Sequence, residues 1–401
     1  MSRVKAQTTK TSKKRQNPIK RIGIWLADNF RAESIEFYRL AGLTVFLVLF
    51  GVVMVLSSSS IDSLVANRDA FYVASRQGAY AVIGLIGMTV VASVPVQFIK
   101  TKVKFILGGA LVLQSLVPII GVSVNGNTNW ISIFGFTLQP SEFLKLALIL
   151  YMGSVISERE EFLDRSRSVI WPVFSVGGLA LFLVMLGGDL GTSVIILIIL
   201  FGTLLVAGAP IKPLLKILGG MAILAVVAVV VSPSRVSRIT AWLNPDSVIS
   251  EALNWQYEHG TWALAAGGIF GVGLGNSKMK WSWIPEVEND FIFAVIGEEL
   301  GLVGAFVVIG LFSLLIWTLI KIMLKSDDGY AKFTILGIVL WIMGQSFVNL
   351  AVVLGLLPVL GVPLPLISAG GSSLIATLGA IGLVLAFEKQ SHRQSQIRLR
   401  R

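Results

Sequence analysis

The sequence predicts an all-α protein that crosses a membrane about ten times, with both termini in the cytoplasm and a large outer loop between the seventh and eighth spans. Three observations carry that reading. Hydrophobic residues make up 55% of the 401 residues and charged residues 14%, where a soluble domain carries about 25% charged residues. Apolar runs long enough to span a bilayer, about 17–25 residues each, recur along the chain. The basic residues gather in alternate connections between those runs.

Met1 to about Glu36 is polar and basic, with Lys13, Lys14, Arg15, Lys20 and Arg21. Residues 1–36 read as a cytoplasmic tail, disordered or lying on an anionic membrane surface, and they lack the apolar core of a secretory signal. The membrane domain occupies 37–388. Its spans are predicted near 40–57, 78–98, 105–121, 141–157, 170–187, 191–209, 215–232, 302–320, 333–353 and 371–388. Residues 389–401 read as a second basic tail. The outer connection 233–289 is far longer than a turn needs, and loops above about 12–15 residues are usually functional or disordered. Its Trp242, Trp255, Trp262 and Trp281 argue against disorder and predict short interfacial helices with Trp at headgroup depth. A shorter outer loop covers about 122–140.

With the termini inside, 26 of the 33 Lys and Arg residues fall on the inner side. The outer side keeps Arg68, Arg76, Arg235, Arg238, Lys278 and Lys280, with Lys145 inside a span near its outer end. The net charge of +11 is therefore an orientation signal, and no nucleic-acid partner is expected. The absence of cysteine excludes disulfides and thiolate metal sites. Two histidines, His259 and His392, are too few for a His-based metal site, and His259 reads as a loop residue.

Charge is expensive in a membrane, roughly 2.5–3.5 kcal/mol per residue on insertion scales, so ionisable residues in or beside the spans are functional candidates. The stretch Trp283–Gly304 carries Glu286, Glu288, Asp290, Glu298 and Glu299 with no Lys or Arg between them. Asp290 precedes the apolar run Phe291–Ile296. Partial desolvation there would make its carboxylate a better base, and the same position suits an acidic helix N-terminus. Residues 290–301 either extend the eighth span outward or form a re-entrant half-helix. On an ideal helix Glu298 lies roughly 80° and Glu299 about 180° around from Asp290. At most one of them can share its cavity, and the other is expected to pair with a neighbouring helix.

Glu142 and Lys145 follow Gln139, Pro140 and Ser141. Three apart, they share a helix face. They form either a structural ion pair or the lining of a polar cavity in which Lys145 meets phosphate. Asp189 suits the cap of the sixth span. Arg235 and Arg238, also three apart, suit phosphate oxygens or interfacial anchoring. Lys278 and Lys280 follow a glycine tract that lacks the Gly-x-x-x-x-Gly-Lys nucleotide pattern. Pro358, Pro363 and Pro365 forbid regular helix, and irregular backbone at membrane depth is tolerated only where protein or a watery cavity satisfies it. The segment leads through Ser368 to Gly370, Gly371, Ser372 and Ser373 at the start of the tenth span. That start is either an anion site built from helix N-terminal amides or a point of close packing and capping.

Together these segments resemble the SEDS family (shape, elongation, division and sporulation) of peptidoglycan glycosyltransferases. The residues carrying the resemblance are Asn125-Gly126 and Trp130-Ile131, Gln139 through Glu142 with Lys145, and Asp189-Leu190-Gly191-Thr192. They continue with Arg235 and Arg238 ahead of Pro245, Gly271-x-Gly273-Leu274-Gly275-x-Ser277, Pro285-Glu286, Asp290 through Gly301, Gly355 through Val359, and Gly371-Ser372-Ser373. They run in order over about 40–388. The chain departs from the family pattern at Asn129, where Arg is usual, at Gly187-Gly188 before Asp189, at Trp255 to Gly260, at Asn289 and at Ala369. The long basic tail and Pro363 through Ser368 lean toward the septal FtsW type rather than the elongation RodA type.

The resemblance implies polymerisation of lipid II at the outer face of the bacterial cytoplasmic membrane, at the division septum, with release of undecaprenyl pyrophosphate. It makes Asp290 the catalytic residue. Gln139, Glu142, Lys145, Arg235, Arg238, Lys280, Ser368 and Ser372 are the substrate-binding candidates. No cofactor is required by these residues, although a divalent cation, Mg2+ or Mn2+, is compatible with a pyrophosphate leaving group. Implied partners are lipid II, a cognate class B penicillin-binding protein and other membrane proteins of the division machinery. A lipid II flippase and a non-catalytic division scaffold are the competing readings. Midplane charge and broken helices occur in transporters as well, but here the candidate charges cluster on the outer side.

Overall fold

The computed structural model describes residues 33–65, 68–124, 127–133, 136–163, 166–230, 233–243, 251–278, 280–281 and 287–399. Most of the predicted N-terminal tail, Trp283, Pro285 and Glu286, and the side chains of Arg235 and Arg238 lie outside the described residues.

Long helices follow the predicted spans in order: α1 (Ile35–Val65), α2 (Tyr72–Ser93), α3 (Val96–Ile120), α4 (Pro140–Glu158), α5 (Ser166–Leu186), α6 (Leu190–Val206) and α7 (Ile211–Val230). Two helices, α8 (Pro233–Leu243) and α9 (Glu251–Gly267), occupy the described part of the long loop. The chain ends with α10 (Ile292–Lys325), α11 (Gly329–Val353) and α12 (Gly371–Leu399). Among the described residues, seven helices are long and apolar enough to cross a membrane: α1, α3, α4, α5, α10, α11 and α12. The apolar α6 is shorter.

The most enclosed helices are α4, α11 and α12. Small residues let α4 and α11 approach closely: a Cβ on Gly337 would lie 2.8 Å from the Ile149 side chain, the interface chemistry that membrane helices favour. Between α3 and α4 the shorter outer loop folds into a three-stranded antiparallel sheet, β1 (Val122–Val124), β2 (Asn127–Ile133) and β3 (Phe136–Leu138), in that order. Thr128 N donates to Gly187 O at 3.0 Å. With its amide nitrogen turned toward the carbonyls, Asn129 donates to Gly187 O at 2.9 Å and to Thr128 O at 3.1 Å. The sheet is thereby fixed over the turn between α5 and α6.

Residues 389–399, the basic C-terminal segment, continue α12 as helix. Glu388 and Lys389 are buried there, Ser34 Oγ donates to Glu388 Oε1 at 2.5 Å, and Arg393 lies 3.7 Å from Glu33. Contacts distant in sequence thus hold a segment whose composition reads as solvated. His259 belongs to α9, not to a loop. It is buried, with its ring stacked on Trp255 at 4.0 Å between centroids.

Helix α10 is broken at Gly301, whose φ of 69° and ψ of −168° are non-helical, so residues 292–300 form a half-helix ahead of the long remainder. A Cβ at Gly301 would lie 2.3 Å from Gly271 N and 2.4 Å from Ile269 O. The glycine tract takes up the backbone groups freed by the break. Leu302 N donates to Gly268 O at 2.9 Å, Val303 N to Ile269 O at 3.1 Å, Val272 N to Glu298 O at 2.9 Å and Gly273 N to Glu299 O at 3.0 Å. A helix interrupted in this way must find such partners when buried.

Candidate active site

Asp290 lies immediately before Phe291, which caps the half-helix. Phe291 is fully buried against Gly260 of α9, and the half-buried Asp290 stands at the rim. The segment carrying it is laid against the proline-rich stretch. Ala369 N donates to Glu288 O at 2.9 Å. Asn349 Nδ2 donates to Asp290 O and to Val362 O, each at 2.8 Å. Asp290 Oδ2 lies 3.8 Å from where a Cβ on Gly361 would stand, so the carboxylate borders the glycine backbone.

The irregular backbone after α11 is satisfied by protein. Gln345 Nε2 donates to Pro363 O at 2.9 Å, and Leu364 N donates to Ser368 Oγ at 2.8 Å. From α2, Gln77 Nε2 donates to Ser368 O at 3.1 Å while its Oε1 accepts from Gly370 N at 3.3 Å. A Cβ on Gly191, at the start of α6, would lie 2.4 Å from Leu360 O, so that helix supports the segment from behind.

Glu142 and Lys145 sit in the first two turns of α4, behind Pro140 in the first turn, where its fixed φ suits the helix start. They form a buried pair: Lys145 is 1% exposed and Glu142 2%. Lys145 Nζ donates to Glu142 Oε1 and to Gln345 Oε1, each at 2.9 Å, and lies 4.7 Å from the centre of the Trp341 ring. Trp341 Nε1 donates to the same Gln345 Oε1 at 2.7 Å. Glu142 Oε2 is buried with no hydrogen-bond partner.

Gln139 joins three outer elements. Its backbone N donates to Ser372 Oγ at 2.9 Å and its side chain to Asp189 Oδ2 at 3.0 Å. Asp189 Oδ1 accepts from Thr192 N at 2.9 Å, the expected cap of α6. Burial pushes the Asp189 carboxyl above its ordinary pKa, and the hydrogen bond from the Thr192 amide opposes that rise.

Other candidates fall elsewhere. Lys280 is buried and donates to Gly275 O, turned into its own loop. Both acidic residues beyond Asp290 are engaged by the glycine tract. Glu298 accepts from Ser277 Oγ at 2.5 Å and Lys278 N at 2.9 Å. Glu299 accepts from Ser57 Oγ of α1 at 2.7 Å and from Ser277 N at 3.4 Å. The sequence reading assigned one of them to a neighbouring helix, and Glu299 bonds one, but the tract that holds both was not anticipated. Arg235 and Arg238 are placed in α8 by backbone alone. Among the described residues no three acidic or imidazole side chains converge to hold a metal ion.

The residues that sequence reasoning missed are neutral amides: Gln77, Gln345 and Asn349, exposed by only 3%, 0% and 1%. They carry no charge for a charge count to find. Their signal is a polar side chain inside an apolar run, whose burial is costly unless it is hydrogen-bonded.

Residues 38–393 match the family model described as "Cell cycle protein" that groups FtsW, RodA and SpoVE. The chain is 36% identical over 369 residues to the "Probable peptidoglycan glycosyltransferase FtsW" of Mycobacterium tuberculosis, covering 92% of this chain and 70% of that one. It is 36% identical over 354 residues to Stage V sporulation protein E of Bacillus subtilis, covering 87% and 96%. A solved chain from a peptidoglycan synthase complex that coordinates polymerisation and crosslinking superposes with a TM-score of 0.76 at 27% identity, covering 91% of this chain and all of that one. The crystal structure of Thermus thermophilus RodA gives a TM-score of 0.66 at 26% identity, covering 91% and 99%.

Proposed function

The chain belongs to the FtsW, RodA and SpoVE family, and on that premise we propose that it is an inverting peptidoglycan glycosyltransferase of the division-type FtsW branch, with Asp290 as its general base. The observation that carries the catalytic assignment is the placement of Asp290. It is a carboxylate at the rim of an apolar half-helix, fixed through its backbone to a proline-rich segment. The substrate is lipid II. The 4-hydroxyl of the acceptor sugar attacks the anomeric carbon of the donor as Asp290 takes its proton. The bond from that carbon to the pyrophosphate oxygen breaks, and undecaprenyl pyrophosphate leaves. One displacement converts the α-linked lipid into a β-1,4 glycan. Such a step needs a base on the nucleophile and positive charge on the leaving group.

Lys145, Lys280, Arg235 and Arg238 are the cations proposed for the pyrophosphate, with Gln139, Glu142, Ser368 and Ser372 shaping the cavity. Lys145 would exchange one of its protein acceptors for a phosphate oxygen, and Lys280 would leave Gly275 O. A divalent cation, Mg2+ or Mn2+, would come with the pyrophosphate, because Mg2+ is usually bound through substrate phosphates and water rather than by a protein cage.

The same reading places ten spans in the cytoplasmic membrane with both termini inside, consistent with the distribution of basic residues, and places the protein at the septum. Its proposed partners are a class B penicillin-binding protein and other division proteins. The test is polymerisation of purified lipid II by wild-type and Asp290→Asn protein, each with and without the cognate transpeptidase. Asp290→Asn should make no glycan. Full activity of that variant would refute the assignment, and transport of labelled lipid II without polymer would refute the polymerase reading as a whole.

A further inference from the structure

We infer that Gln345 and Asn349, on one face of α11, are positioning residues that tie the buried Glu142–Lys145 pair to the segment bearing Asp290. The inference rests on the assignment of Asp290 as the base. Trp341, Gln345 and Asn349 are spaced four apart and so share one helix face, and all three are buried. Each amide makes at least two hydrogen bonds. Gln345 Oε1 accepts from Lys145 Nζ and from Trp341 Nε1, while its Nε2 donates to Pro363 O. One turn further along, Asn349 Nδ2 donates to Val362 O and to Asp290 O. Val362 and Pro363 are consecutive. The two amides therefore grip adjacent carbonyls of the proline-rich segment, one from the Lys145 side and one from the Asp290 side.

The consequence for the base is geometric. A hydrogen bond to Asp290 O fixes the peptide plane that follows it and so restricts rotation about the Asp290 Cα–C bond, which narrows the directions open to the Cβ that carries the carboxylate. An amide nitrogen has two N–H groups, and here each serves one carbonyl. No hydroxyl or carboxylate of similar size supplies both. The far oxygen, Asn349 Oδ1, is buried without a hydrogen-bond partner, so the group is held by its donors alone.

The experiment compares Asn349→Ala, Asn349→Asp and Gln345→Glu with Ser346→Ala as control. Ser346 Oγ donates back to Ile342 O of its own helix, and its variant should behave as wild type. Displacement of a catalytic group by about 1 Å can cost on the order of 100-fold in rate. Asn349→Ala and Asn349→Asp should therefore lower kcat by about that factor while KM for lipid II stays within about threefold. Gln345→Glu keeps an acceptor for Lys145 and Trp341 but loses the donor to Pro363 O. It should show a smaller fall in kcat, again with little change in KM. Amide hydrogen exchange on the full chain supplies a readout independent of activity: protection should fall in 287–291 and 357–370 and stay unchanged in α4 and α12. Wild-type kcat in Asn349→Ala, or an equal fall in protection across the whole chain, would overturn the inference. The assignment of the base fails separately, if Asp290→Asn polymerises while Asn349→Ala still loosens those two segments.

Discussion

Lys145→Met tests whether the buried pair is a support or a tool. Methionine keeps most of the lysine's length and removes its charge. In the parent, the ammonium has acceptors on Glu142 and Gln345 at 2.9 Å and a ring face at 4.7 Å. Its removal leaves Glu142, 2% exposed, as a buried carboxylate with no cation. Breaking a buried pair from one side costs about 3–5 kcal/mol, whereas replacing both partners is often neutral or stabilising. Lys145→Met should thus lower the unfolding midpoint of the purified protein markedly. Adding Glu142→Gln should restore it to within about 1 kcal/mol of the parent. Polymerisation of lipid II is then measured on the double variant, whose fold is intact. If Lys145 also meets the leaving pyrophosphate, the double variant is stable and inactive. A single variant as stable as the parent would refute the enclosed pair. A stable double variant that polymerises at the parent rate would refute any role for Lys145 in chemistry.

Further predictions follow from the outer elements. Gly301→Ala places a side chain at φ 69°, ψ −168°, 2.3 Å from Gly271 N. Conformations open only to glycine cost about 1–3 kcal/mol in other residues, so this variant should lose stability and activity together. Gly310→Ala, with nothing within 4 Å of its Cβ, should keep both, and equal unfolding midpoints would refute the break at Gly301. Asp189→Ala removes the cap on Thr192 N and the acceptor for Gln139. It should cost about 1 kcal/mol, as for other N-caps, in chemical denaturation. Glu298→Gln weakens the acceptor for Ser277 Oγ and Lys278 N, and should speed proteolysis within 268–280 while leaving cleavage of the β1–β3 loop unchanged.

How legible these features are in the sequence depends on what kind of signal each leaves. Asp290, Glu142 and Lys145 stand out because charge is rare in apolar helices. The stretch from Pro358 to Pro365 stands out because proline cannot continue a helix. Hydropathy locates helices better than it bounds them: the predicted spans 40–57, 141–157, 302–320, 333–353 and 371–388 fall within helices, whereas 78–98 runs past Ser93 across the break at 94–95 into the next helix. The contacts that assemble the site are another matter. Lys145 and Gln345 are 200 residues apart, Ser57 and Glu299 are 242 apart, and no local pattern announces either meeting. The ideal-helix angles between Asp290, Glu298 and Glu299 say nothing of the glycine tract, which returns alongside and takes both carboxylates.

The arrangement around Asp290 separates two jobs that a single loop could not combine. On one side, the half-helix 292–300 is closed by the Gly301 break and clasped by the glycine tract through Glu298 and Glu299. On the other, residues 288–290 are bonded through their carbonyls to the proline-rich segment and to α11. Asp290 is thereby held from the segments on both sides of it, and its own main-chain carbonyl is bonded by Asn349. A base must be held within a few tenths of an ångström to be effective, and the bond from Asn349 to the Asp290 carbonyl contributes to that placement.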